Sequence, residues 1–170
     1  LKLKHYENIM EKTEWADSVV IGPGIGRNME TQSLIKKLVS NIKKPLVVDA
    51  DGLSCFKSKS KDLLKRKFPL VITPHFGELS KLLNISVNNL TDQFPQVMEG
   101  FMEEFCHTAL VKQVPACTFC GNNAFLNTTG NPGLATAGSG DVLAGILASF
   151  ISQGFNLSVS AKMASYIHGK

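Results

Sequence analysis

Short apolar runs alternate with longer segments whose apolar residues recur every three or four positions. Ser18-Val19-Val20-Ile21, Pro45-Leu46-Val47-Val48, Leu70-Val71-Ile72-Thr73 and Thr108-Ala109-Leu110-Val111-Lys112 are compact aliphatic runs flanked by Gly, Pro or polar residues, and each predicts a strand. Between the first two, Leu34, Ile35, Leu38 and Val39 mark a helix that Asn28 can cap, and after the third, Leu79, Leu82 and Leu83 mark another. Leu1 to Lys12 predicts a short amphipathic helix, Asn84 to Asn89 a polar loop, and Thr91 to Phe105 a helix that Pro95 and Gly100 weaken. Beyond the fourth strand, Cys117 to Cys120, the turn Gly121-Asn122-Asn123 and Ala124 to Asn127 read as an antiparallel hairpin. The chain closes with a helix over Leu157 to His168 carrying Val159, Met163 and Ile167. Strands separated by helices imply an α/β fold, a mostly parallel sheet with helices on both faces and the hairpin near the C-terminal part.

One stretch breaks both periodicities. Thr129 to Gly140 holds four glycines and a proline among small residues, which is a loop. From Asp141 onward Val142, Leu143, Ile146, Leu147, Phe150 and Ile151 recur at helical spacing, while Ala144, Gly145, Ala148 and Ser149 form a face of small side chains suited to close packing on both sides. A glycine-rich turn feeding a helix points free N–H groups one way, and the helix dipole adds about half a positive charge there. Such a place binds phosphate or another anion. Asp141, in the first turn, can accept a proton from a hydroxyl attacking a phosphoryl group; alternatively it only caps the helix.

The other polar clusters follow strands. Gly22-Pro23-Gly24-Ile25-Gly26 follows the first, without the G-x-G-x-x-G dinucleotide fingerprint, and is either a tight turn or a place where a ligand approaches bare backbone. Asp49-Ala50-Asp51-Gly52 follows the second; its carboxylates can hold magnesium through water, contact a ribose, or serve as turn residues. His75 follows the third, before a helix start, in a structural or a functional role. These clusters fall on one sheet edge, and the glycine loop can close over it.

Composition narrows the classes. The 170 residues suit a single domain, 44% hydrophobic and 19% charged, and no apolar run approaches the roughly 20 residues of a membrane span. The net charge of +4 collects between Lys57 and Lys67 without interleaved aromatics, which predicts a solvated surface segment and no nucleic-acid partner. Cys117 and Cys120 have metal-ligand spacing but lack a second pair, and strand alternation puts them on opposite faces. All four cysteines read as reduced thiols of a cytoplasmic protein.

In chain order, Gly22-Pro23-Gly24-Ile25-Gly26, Asp49-Ala50-Asp51-Gly52-Leu53, Thr73-Pro74-His75-Phe76-Gly77-Glu78 and Gly130-Asn131-Pro132-Gly133 followed by Gly138-Ser139-Gly140-Asp141-Val142-Leu143 resemble the ADP- or ATP-dependent NAD(P)H-hydrate dehydratases, which have a ribokinase-like fold. The resemblance spans most of Val19 to Phe150, and Asn131-Pro132-Gly133 is its specific part. It implies repair of hydrated NADH or NADPH, by phosphorylation of the hydrate hydroxyl and elimination of phosphate, with ADP or ATP and Mg2+. It further implies Asp141 as base, and Gly138, Ser139, Gly140, Lys112 and Thr118 as nucleotide-binding. Gly22, Gly24, Gly26, His75, Asn131, Asp49 and Asp141 are then the substrate residues, with no metal ligand assigned.

Two departures stand out. Lys112 is followed by Gln113-Val114-Pro115-Ala116-Cys117-Thr118, whereas the family has a glycine after the lysine and a closer threonine. The chain is also shorter than family members, so a single-domain fragment lacking N- and C-terminal elements is expected. A homo-oligomer and a fused or separate NAD(P)H-hydrate epimerase are the partners the resemblance suggests. The competing readings are a kinase of the same fold acting on a vitamin precursor or sugar, which Asn131-Pro132-Gly133 disfavours, and a non-catalytic nucleotide-binding module.

Overall fold

Six strands lie side by side in chain order, β1 (Val19–Ile21), β2 (Leu46–Val48), β3 (Leu70–Ile72), β4 (Thr108–Val111), β5 (Cys117–Cys120) and β6 (Asn123–Leu126). The computed structural model describes residues 1–170. The first four strands are parallel, in register through Val48, Ile72 and Ala109, and the last two fold back antiparallel, with Leu110 opposite Thr118. Each aliphatic run expected to be a strand is one, and the hairpin turns over Gly121 and Asn122, one residue tighter than the spacing suggested, because Asn123 already pairs with Cys120.

Alternation with period two sends successive side chains into two separate cores. Leu46, Val48, Leu70, Ile72, Ala109 and Val111 face a layer built from α2 (Met29–Asn41), α5 (Phe76–Leu83) and α7 (Phe94–Glu104). Val47, Val71 and Leu110 face α8 (Ser139–Ser152) and α9 (Leu157–His168) through Leu143, Leu147, Ile151, Ala161 and Ala164. Helices therefore cover both faces, as the alternating pattern required. Asn28 caps α2 by accepting from the Thr31 N–H at 2.8 Å.

Several expectations change. The N-terminal helix α1 runs over Tyr6–Trp15, preceded by one 3-10 turn. The loop from Asn84 gives way to α6 (Val87–Asp92) because Ser86 accepts from the Asn89 N–H, and the helix expected over Thr91 to Phe105 is split between α6 and α7, with Pro95 in the first turn of α7, where its missing N–H costs nothing. The small face of α8 is covered at Ala144 and half-covered at Ala148, whereas Gly145 and Ser149 are exposed, so the helix is not closely packed on both sides.

One short helix, α3 (Asp51–Ser54), precedes the basic run and another, α4 (Ser60–Leu64), lies within it, and the run is not wholly solvated. Arg66 is buried, its guanidinium donating to the carbonyls of Val39, Lys44 and Pro69, and burial lowers its pKa to about 10. Local sequence could not reveal this, since the backbone partners of Arg66 come from α2 and from the approaches to β2 and β3. No helix is long and apolar enough to cross a membrane.

Candidate active site

Alternation also decides which polar side chains meet at the carboxyl edge of the sheet. Val47, Val71 and Leu110 point toward α8 and α9, so Asp49, Thr73 and Lys112, each two residues further along its own chain, stand on that face just past the strand ends. The Thr73 N–H still donates to the Val48 carbonyl, and the Lys112 N–H to Pro74, so the ladder continues under them. Lys112 Nζ donates to Asp49 Oδ1 at 2.6 Å. Asp49 is 1% exposed, and both its second oxygen, Oδ2, and the buried Thr73 Oγ1 have no hydrogen-bond partner. Buried polar atoms without partners are few in native proteins, and two at the same strand edge mark this floor as more than packing.

The first turn of α8 lies over that pair. A Cβ placed on Gly140 would stand 3.3 Å from Lys112 Nζ and 3.8 Å from Asp49 Oδ2. Gly138 caps the helix with φ of +87°, a conformation open to glycine, and the Ser139 N–H bonds back to Thr136. The N–H groups of Gly138, Gly140 and Asp141 bond to nothing in the protein. The Asp141 carboxylate is exposed and without a hydrogen-bond or ion-pair partner, while Ser139 Oγ meets His168 Nε2 at 3.1 Å and ties the turn to the end of α9. Free amides at a helix start, beside an ammonium group, make an anion site. Asp141 has not been used up as a cap.

The neighbouring loops complete the edge. Gly22, with φ of +143°, packs against the Asp49 backbone, whereas Gly24 and Gly26 face open space. The Gly26 N–H donates to Asp51 Oδ2 at 3.1 Å, and Arg27 Nε binds Asp51 Oδ1, a bond that raises the Arg27 pKa. Each carboxylate of the Asp49-Ala50-Asp51 turn therefore has at least one partner within the protein, and Asp49 Oδ2 stays without one. Ala50 between them has φ of 46°, a strained value that costs an alanine about 1–3 kcal/mol.

His75 caps α5: its Nδ1 accepts from the Gly77 N–H at 3.0 Å, its own N–H donates to Glu78 Oε2 at 2.9 Å, and Nε2 lies 3.4 Å from Glu78 Oε1. Its ring is exposed, and its backbone bridges to Lys112. The structural role is thus filled while the ring stays accessible.

Two further expected residues have local partners or neighbours of their own. Asn131 Oδ1 accepts from the Gly133 N–H at 2.9 Å, so Asn131-Pro132-Gly133 is a self-bonded turn shaping the loop. Thr118 is buried under α9 and lines a separate cavity of about 350 Å3 with Phe125, Lys162 and Tyr166, where Lys162 Nζ sits 4.0 Å over the Phe125 ring. Thr73, not among the expected site residues, joins this edge; its signal in the sequence is position, since it follows β3 as Asp49 follows β2. The cysteines are unpaired; burial pushes Cys55 up to about 11 and Cys117 upward, so neither is a ready thiolate.

The chain matches the NAD(P)H-hydrate dehydratase family over residues 2–170. It is 35% identical over 162 residues to a bifunctional NAD(P)H-hydrate repair enzyme of Moorella thermoacetica, covering 95% of this chain and 31% of that enzyme. It is 32% identical over 160 residues to the ADP-dependent (S)-NAD(P)H-hydrate dehydratase of Staphylococcus aureus, covering 91% of this chain and 55% of that one. The chain thus spans about a third of the bifunctional relative and just over half of the single-function one. A ribokinase-like superfamily protein of Enterococcus faecalis superposes with a TM-score of 0.80 at 28% identity, covering 99% of this chain and 59% of that one. The ADP/ATP-dependent NAD(P)H-hydrate dehydratase of Bacillus subtilis, co-crystallized with ATP/Mg2+, has the same fold, with a TM-score of 0.77 at 24% identity, covering 94% and 58%. The sheet order and the two helical layers are ribokinase-like.

Proposed function

The chain belongs to the NAD(P)H-hydrate dehydratase family, and from that premise we propose that it uses ADP or ATP to dehydrate hydrated NADH or NADPH at the first turn of α8. The observation that carries this reading is the set of unbonded N–H groups of Gly138, Gly140 and Asp141 beside the Lys112 ammonium and a carboxylate without a partner. Amides and ammonium suit the phosphates of the nucleotide, and the free carboxylate suits the hydroxyl of the hydrate.

Asp141 takes the proton from the hydrate hydroxyl as its oxygen attacks the terminal phosphorus, and the bond from that phosphorus to the nucleotide breaks. The phosphorylated intermediate then loses phosphate as the ring sheds a proton, which restores the dihydropyridine. Magnesium brought by the nucleotide phosphates would neutralise charge there, and Asp141, the carboxylate of this turn without a protein partner, would be the residue to face it. The exposed His75 ring and the open backbone of Gly24 and Gly26 suit the dinucleotide, and Ser139 supports the turn through His168. A cytoplasmic setting suits the unpaired thiols. An epimerase, fused or separate, is the partner this substrate calls for.

The test is regeneration of reduced-nicotinamide absorbance from NADH hydrate with ADP and Mg2+, accompanied by free phosphate. Asp141→Asn is expected to lose turnover by about 100-fold or more while still binding nucleotide. Full turnover in that variant removes Asp141 as base, and a stable phosphorylated product would assign the chain to the small-molecule kinases of this fold.

A further inference from the structure

We propose that Asp49 is a positioning residue: it holds the Lys112 ammonium at the first turn of α8, so that a phosphate on the Gly138, Gly140 and Asp141 amides meets a fixed cation. The proposal rests on the phosphate reading of that turn and gives Asp49 a role other than contact with substrate.

Lysine is a compact charge on a flexible four-carbon stem, so an unrestrained ammonium spreads over many positions. Here 63 positions of chain separate Lys112 from Asp49, and the 2.6 Å bond brings β4 and β2 together across β3. Asp49 is 1% exposed and lies beneath the amides, where a carboxylate facing a bound phosphate would repel it. It can help an anion only through the cation it holds. Its unpartnered Oδ2 lies within 3.8 Å of a Gly140 Cβ position, toward the positive end of α8, so the carboxylate is balanced on one side by ammonium and on the other by the helix end. The ammonium has three protons and one carboxylate partner, which leaves donors for phosphate oxygens.

The test is a calorimetric titration with ADP and, separately, inorganic pyrophosphate, on the wild type, Asp49→Asn, Lys112→Met and the double variant, each checked for folding by circular dichroism. Asp49→Asn is expected to weaken both ligands by about tenfold or more, and to add no more than about twofold once Lys112 is gone. The same loss in both backgrounds, or unchanged or tighter binding by Asp49→Asn, overturns the positioning role and leaves the phosphate reading intact. Failure of the wild type to bind either ligand removes the phosphate reading and this proposal with it. Should Asp49→Asn not fold, the 15N-lysine spectrum of the wild type decides: the Lys112 ammonium protons are expected to be protected from exchange before ligand is added, and an unprotected signal overturns the proposal.

Discussion

Gly22 sits directly on the peptide of Asp49: a Cβ on Gly22 would fall 1.7 Å from the Asp49 carbonyl oxygen and 2.6 Å from its carbonyl carbon. That contact lets β1 end against the turn after β2, and it holds the backbone from which Asp49 reaches Lys112. Backbone atoms cannot step aside as a flexible side chain can. Gly22→Ala is therefore expected to cost about 3 kcal/mol or more, or to prevent folding. Gly24, also at positive φ but with nothing within 4 Å, is the control; Gly24→Ala should lose only the backbone term of about 1 kcal/mol. Urea unfolding of the two variants separates collision from conformation.

Arg66 is the buried cation the basic run concealed. Its guanidinium serves the carbonyls of Val39, Lys44 and Pro69, which close the ends of α2 and the approaches to β2 and β3. Arg66→Met keeps the stem's apolar packing and leaves those carbonyls without their donor. A loss of about 3 kcal/mol is expected, with Arg66→Lys recovering part of it, because one ammonium cannot span three acceptors. A denaturant titration of both variants checks this; a neutral Arg66→Met would show that the carbonyls find other donors.

His107 gives the fold a pH dependence. Its Nε2 lies 3.1 Å from the Arg66 carbonyl, so the neutral ring donates there, and burial, together with the nearby Arg66 charge, lowers its pKa below the ordinary 6.5. The unfolded chain therefore binds a proton at higher pH than the folded one. The stability this ring contributes is fully present above pH 6.5 and is lost as pH falls through the lower folded value. Unfolding free energies measured from about pH 7.5 down to about 5 should fall less steeply for His107→Gln than for the wild type.

The parallel sheet was legible because β2, β3 and β4, buried on both faces, read as unbroken aliphatic runs such as Leu46-Val47-Val48. The convergence of the Gly22, Asp49 and His75 clusters followed from placing them after parallel strands. What was not legible was pairing between distant residues. Nothing local to Lys112 says that its ammonium meets Asp49, or that Thr118, one hairpin turn away, belongs to a different concavity. Nor does the sequence show that Asn131, a substrate residue by the resemblance, also closes its Oδ1 on the Gly133 N–H, although an Asn two residues before a glycine can do so. Arg66 misled for the same reason in reverse, since composition counts its charge with the lysines and only the fold shows the carbonyls around it.

Gly140 separates stability from binding at one atom. Its backbone is helical, so alanine is conformationally welcome and can add up to about 1 kcal/mol through helix propensity. The new methyl, however, would stand 3.3 Å from Lys112 Nζ, which the 2.6 Å bond to Asp49 keeps from moving freely. It would also occupy the space between the ammonium and the amides, where a phosphate oxygen belongs on the reading given above. Gly140→Ala should therefore melt at the same temperature as the wild type or a few degrees higher, while its thermal shift with ADP or pyrophosphate falls by half or more. If melting temperature and ligand shift both stay at wild-type values, the anion does not lie between Gly140 and Lys112, and the first turn of α8 has to be read as a capped helix start alone.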